Sequence, residues 1–547
     1  MLGTLKTFTA LTEEFVECMM KYHPVYATEV GIHDYDPQLP DDSPEGFLER
    51  ATWLRDLDDR LLTAVPWEKL PLPQRIDYAL LRSRIASLRA DLEEIKVHAH
   101  NPSYYPAVAL KGLYLLMVRP FAPLEERKES ILARMMSIPE YLKAARANLQ
   151  RIPEIFIEIA TEMTGTGPEF VDYTMRSLIE SFPGEAERIE EAARRARMGF
   201  AQYLDFLEHE ARKRVGGSFA IGERWMNYKL EREHLLPLDC AALEAFGREH
   251  MERTRAQLEQ EAKKIDPAKS WRELIEGVKR RHPEPAKLRE AYVAEVERAR
   301  RFVEEKRLAP IPKGRLEIVD TPVFERPTTP YAAYLGPAPF DEDPTGYFFV
   351  TPVDPRRKKE EQEEQIRGHN YVSLSLTAIH EAWPGHHLQL LHAAVAGSRL
   401  RRLADSAVLA EGWALYCEEL MYEQGFFVDP LTRLYQLKDL LWRACRVVID
   451  VGLHTGTMSF EQAVEFLVDQ ALLERVNTET EVRRYVQTPT QPMSYLLGKH
   501  QLLEIRAETR ARLGPRFDLH AFHQAVLGCG TVPPSLVRLE LEEQLKG

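Results

Sequence analysis

Along most of the chain, apolar residues return every three or four positions, and charged residues fill the places between. This spacing predicts amphipathic helices over residues 130–149, 185–214, 241–265 and 285–307. In the last of these, Leu288, Tyr292, Val296, Ala299 and Val303 form one stripe opposite a face of Glu and Arg. Gly and Pro clusters mark expected breaks, at Gly165, Thr166, Gly167 and Pro168 and again at Gly216-Gly217. Residues 311–355 differ. They are rich in Pro, Gly, Thr, Tyr and Phe, and 316–319 and 347–350 read as short strands. Beyond 355 the helical spacing returns. The expected fold class is mainly α: a large helical body with a small β element near residues 311–355. The expected division is an N-terminal helical region, 1–310, and a second region, 311–547, packed as one compact unit. No internal repeat is present, which argues against a helical solenoid.

Composition narrows the function. Asp and Glu outnumber Lys and Arg by 85 to 72, for a net charge of −13. That balance argues against nucleic acid or an anionic membrane as the main partner. The five cysteines, Cys18, Cys240, Cys417, Cys445 and Cys529, are scattered and form no CxxC pair. A zinc knuckle or a disulfide framework is therefore not expected, and free thiols in a reducing compartment are. The first 22 residues carry Lys6, Glu13, Glu14 and Glu17 and lack the apolar core of a signal peptide. No apolar run is long enough to cross a bilayer. The expected location is cytoplasmic, and a homodimer stays open.

One segment carries chemistry: His380-Glu381-Ala382-Trp383-Pro384-Gly385-His386-His387. It is a variant of H-E-x-x-H, in which two histidines one helical turn apart bind zinc and the Glu acts as general base. Here the fourth position is Pro384. On a straight helix His387 would lie about 20° from His380, and His386 about 120° away. Pro384, however, cannot donate to the His380 carbonyl, which favours a kink or wide bulge. If Pro384-Gly385 is a two-residue insertion, His386 becomes the second ligand. His386 is preferred and His387 is the alternative. The downstream helix carrying Glu411 and Glu418 can supply the third ligand through Glu411, leaving one position for water. Glu418 is then placed to hold a ligand histidine.

With these residues the chain resembles the bacterial proteins grouped as domain of unknown function 885. The matching features are His380-Glu381-x-x-Pro384-Gly385-His386-His387, the run from Glu411 through Gly412-Trp413-Ala414-Leu415 to Tyr416, and Asp450-x-Gly452-Leu453-His454. Further matches are Arg484-Tyr485, Pro489, Gln491, Ser494-Tyr495, Gly498, Phe517-Asp518-Leu519 and Val526-Leu527. The resemblance is densest from about Thr328 onward and thinner before it, as at Phe219-x-Ile221-Gly222. The family is similar to helical gluzincin peptidases such as angiotensin-converting enzyme. The resemblance thus implies a helical fold with a deep cleft and a zinc at its floor.

Arg446, Asp450 and His454 are spaced to form one polar stripe on an otherwise apolar helix. The stripe is either a self-satisfied network or a cleft wall, with His454 reaching substrate. Tyr485 and Tyr495 can donate to an oxyanion, Tyr495 ahead, and Arg484 can hold a substrate carboxylate. The strand at 346–350 could pair with an extended peptide if it lies at a sheet edge. His520 and His523 are expected in core or capping roles. The expected function is a zinc-dependent hydrolase with one Zn²⁺ per chain, held by His380, His386 and Glu411. Glu381 would be its base, and a short peptide or small amide its substrate. The rivals are an amidase or esterase acting on a non-peptide substrate, and a metal-free helical binding protein with a decayed site.

Overall fold

The computed structural model describes residues 2–544. It is mainly helical, with one three-stranded sheet. The chain forms two compact units. The first comprises residues 1–219 with two short returns, 322–327 and 338–343. The second comprises 220–321, 328–337 and 344–547. This division differs from the expected boundary at 310/311. The strand-bearing stretch joins the helices on both sides of it instead of separating them.

In the first unit, helices Leu124–Asn148, Glu154–Ser181 and Ala186–His209 pack side by side. The expected break at Gly165–Pro168 does not occur, since Glu154–Ser181 runs straight through it with Pro168 inside. Packing overrides local propensity here. A Cβ on Gly167 would lie 2.8 Å from the ring of Phe200, so this glycine allows close helix approach rather than a turn.

The second unit holds the candidate site. Its helix Leu288–Lys306 buries Leu288, Tyr292, Val296, Ala299 and Val303, the stripe that the spacing selects. The following strands are β1 (Arg315–Asp320), β2 (Ala332–Leu335) and β3 (Thr345–Val350). They lie in the order β1-β3-β2, with β3 parallel to β1 and antiparallel to β2. This corrects the edge-strand expectation. The 346–350 segment is central and buried on both faces, which its continuous apolar run explains. The edge strands are β1 and β2, of which β2 lines the cavity of the candidate site.

Helices Tyr371–Glu381, His386–Ala393, Ala407–Glu423, Pro430–Thr455 and Ser494–Leu513 complete the frame of the site. Pro430–Thr455 is buried almost all round, as expected for a helix packed on several neighbours. His520 and His523 bond the carbonyls of Arg307 and Leu308, just past the end of Leu288–Lys306. They satisfy helix-end acceptors, in keeping with a capping role.

Candidate metal centre

Asn370 caps the first of these helices by accepting from the Ser373 amide, and His380 falls in its last turn. The helix ends at Glu381, and the break keeps a definite geometry. The Gly385 amide bonds the carbonyl of Ile379, six residues back instead of four. Two residues are thereby looped out, and the Trp383-Pro384 peptide is cis. The Pro384 carbonyl accepts from the Trp413 indole at 2.8 Å and from the Cys417 thiol at 3.5 Å. A Cβ at Gly385 would sit 1.9 Å from the His380 carbonyl oxygen, so only glycine fits. His386 then opens a new helix in the place that a regular helix gives to its fourth residue.

This geometry brings His386, and not His387, beside His380 and Glu411. One nitrogen or oxygen from each of His380, His386 and Glu411 lies within 4.8 Å of the others. His386 Nε2 is 3.2 Å and His380 Nε2 is 3.4 Å from the same oxygen, Glu411 Oε2. His387 points elsewhere. Its Nδ1 is 2.6 Å from the Tyr334 hydroxyl, and burial pushes its pKa down to about 3.

The surroundings orient the cluster. His380 Nδ1 donates to Glu418 Oε1 at 3.0 Å, which leaves Nε2 turned toward Glu411. Burial lowers the His380 pKa, but its bonds to Glu411 and Glu418 outweigh burial and raise it to about 9. Glu411 is held well below the usual carboxylate range because His386 and His380 outweigh its burial. Gln491, matched in the sequence but given no role there, donates to the second Glu411 oxygen at 3.1 Å and to the Tyr495 hydroxyl at 3.2 Å. Glu381 follows His380 and makes no hydrogen bond among the described residues. Burial raises its pKa, opposed by His386 and His380.

All of these groups border one cavity of about 340 Å³ within the second unit. Thr328 to Tyr334, including the start of β2, form one wall, and Tyr435, Lys438, Trp442 and Arg443 another. Tyr495 and Arg484 also line it, and the Tyr495 ring stacks on His380 at 5.9 Å. Arg484 bonds Glu481 and Gln491.

Two expected site residues lie away from the cavity. The Tyr485 hydroxyl is buried against the Arg446 guanidinium, 2.5 Å from its Nε, and Arg446 also pairs with Glu481. His454 Nε2 donates to the Tyr485 carbonyl at 3.0 Å. The stripe is therefore a buried network rather than a wall of the cavity, though Arg446 Nη1 finds no acceptor in it. Asp450, whose pKa burial pushes up to about 7, accepts from the amides of Thr490 and Met493. It thereby pins the loop that carries Gln491 and leads into the Tyr495 helix.

No helix among the described residues is long and apolar enough to cross a membrane. No curated protein matches the chain. Solved structures share its fold, among them two named as lipoproteins. A putative lipoprotein of unknown function from Shewanella oneidensis is 25% identical, with a TM-score of 0.78. That match covers 98% of this chain and 99% of the other. A putative lipoprotein from Colwellia psychrerythraea is 18% identical, with a TM-score of 0.84 and all of both chains covered. Residues 24–541 match the family described as bacterial protein of unknown function (DUF885), and the chain belongs to that family.

Proposed function

We propose that the chain is a zinc-dependent hydrolase acting on short peptides, related in its site to the helical gluzincin peptidases. The observation that carries this reading is the convergence of His380, His386 and Glu411 beside an unpartnered Glu381 in one cavity. The donor set suits zinc. Tetrahedral ligands about 2.0–2.1 Å from zinc lie about 3.3–3.4 Å from one another. The separations of 3.2 and 3.4 Å to Glu411 Oε2 match that spacing. Glu418 supplies the carboxylate that ligand histidines characteristically engage through their second nitrogen.

Zinc in such a site lowers the pKa of water toward neutrality and polarises a carbonyl. Glu381 takes the proton of the attacking water and returns it to the leaving nitrogen. Burial makes its carboxylate a stronger base. Tyr495 donates its phenolic hydrogen to the carbonyl oxygen as charge builds there. Gln491 holds that hydroxyl in place.

Metal analysis of purified protein tests the reading, with about one zinc per chain expected. Glu381→Gln keeps the metal and loses peptide hydrolysis. His386→Ala loses the metal and His387→Ala keeps it. Absence of stoichiometric metal, or full activity in Glu381→Gln, overturns the reading. Hydrolysis of N-acyl amides or esters in preference to peptides would move the substrate class to the amidase rival. The proposed location is the cytoplasm, supported by five cysteines that form no disulfide. The two solved relatives carry the name lipoprotein, and cell fractionation decides whether this chain follows them.

A further inference from the structure

Three cationic side chains other than the ligand histidines border the cavity: Lys438, Arg443 and Arg484. Two are neutralised. Lys438 Nζ is 3.0 Å from Asp439 Oδ1, and Arg484 Nη2 is 2.9 Å from Glu481 Oε2. Arg443 is different. It is 9% exposed, and its Nε and Nη1 are enclosed with no hydrogen-bond acceptor. Among the described residues it has no ion pair. Its guanidinium lies over the Trp442 ring, 4.1 Å from the ring centre, and 5.9 Å from that of Tyr495. A guanidinium is permanently charged and carries five donors, so enclosing it without an anion is costly. Of these three, Arg443 is thus the one without an ion-pair partner among the described residues, its charge acting only through space on Glu381.

We propose that Arg443 binds the free C-terminal carboxylate of a peptide, so that cleavage is directed at the carboxyl end. The planar fork suits a carboxylate, which accepts two parallel hydrogen bonds from it. The reach also fits. The Tyr495 ring is 5.9 Å from both the His380 ring and the Arg443 Cζ, which keeps those two within about 12 Å of each other. An extended peptide advances about 3.3–3.6 Å per residue, so a terminus at Arg443 sits about one to three residues from a carbonyl at the cluster. Arg484 is the less suitable residue for this role because Glu481 and Gln491 already occupy its donors. Calling the ligand a substrate rests on the hydrolase reading, but the binding itself does not.

The test measures binding to chelator-treated protein by calorimetry, so that it needs no catalysis. The probes are acetyl-Ala-Ala-Ala and its C-terminal amide. The acid is expected to bind at least about tenfold more tightly than the amide, and Arg443→Gln to remove that difference while leaving amide affinity unchanged. Arg443→Lys, which keeps the charge but not the fork, should retain part of it. Equal affinity of acid and amide in the wild type overturns the proposal even if a variant fails to fold. So does an equal loss on both ligands in Arg443→Gln, which would assign Arg443 to supporting Glu381. Tighter binding of acetyl-Ala-Glu-Ala-amide than of its Gln counterpart would move the carboxylate to a side chain and overturn the C-terminal assignment. Peptide acids that bind by this pattern but are never cut, with metal restored, would sink the hydrolase reading alone.

Discussion

Gly412 and Gly498 meet backbone to backbone where helices Ala407–Glu423 and Ser494–Leu513 cross. A Cβ on Gly412 would lie 2.4 Å from the Gly498 Cα, and one on Gly498 would lie 1.8 Å from the Val408 carbonyl oxygen. Glu411 precedes the first glycine, and Tyr495 lies one turn before the second. The closest approach of the two helices therefore sets the spacing between the third candidate ligand and the candidate oxyanion donor. Gly498→Ala is expected to force these helices apart, at a cost of about 1–3 kcal/mol or more. A lower melting temperature and weaker zinc binding are expected together. An unchanged melting temperature would show that the crossing tolerates a methyl group.

Glu418 acts on the cluster through His380 alone. Glu418→Gln removes the charge that holds the Nδ1 proton while keeping the shape of the side chain. Zinc affinity should fall about 10–100-fold, read by competition with a chelator, and the helical circular dichroism should be unchanged. Wild-type affinity in this variant would leave Glu418 without a part in metal binding.

Tyr495→Phe removes one hydroxyl that Gln491 positions. If the phenol stabilises the developing oxyanion, kcat drops about 100-fold while KM and zinc content hold. A rise in KM at constant kcat would instead make Tyr495 a substrate-binding residue.

His523 ties the helix end at Leu308 to the Glu411 helix. Its Nδ1 donates to the Leu308 carbonyl and its Nε2 accepts from the Tyr416 hydroxyl, both at 2.7 Å. This arrangement needs the neutral ring, and burial lowers the pKa from 6.5 to about 4. The unfolded chain then binds the proton first as pH falls. The associated stability is fully present above pH 6.5 and is lost between 6.5 and about 4, a change of about 3 kcal/mol. Melting temperatures at pH 7.5 and 5 should diverge less in His523→Gln than in the wild type. An identical acid slope in both would place the pH sensitivity elsewhere.

Much of the helical frame is legible in the residues themselves. The stripe from Leu288 to Val303 is the buried face because apolar spacing records which side of a helix leaves water. The clustering of His380 and His386 was legible too, since Pro384-Gly385 forces a break and the break returns His386 to the face of His380. Elsewhere propensity misled. Gly167 and Pro168 suggest a turn, yet the helix continues because Phe200 packs against that glycine. The strand 346–350 has the same composition whether central or at an edge. Its partners, β1 and β2, both precede it in the chain but flank it in space, and that decides the matter.

By itself, the sequence determined the mainly helical class, the small strand-bearing stretch and the residues able to hold a metal. These follow from local periodicity and from side-chain chemistry. Only the tertiary structure decided which charges remain unpaired. Arg443, Arg446 and Arg484 are equivalent as letters, and each lies near aromatic and acidic neighbours in the chain. Folding gives Glu481 to Arg446 and Arg484 and leaves Arg443 on the cavity wall without an ion pair among the described residues. Likewise it gives His454 and Tyr485 to a buried network and Tyr495 to the site. The physical reason is that, although Arg484 and Glu481 pair within one helix, the pairs Arg446–Glu481 and His454–Tyr485 join segments more than 30 residues apart, which no local pattern encodes.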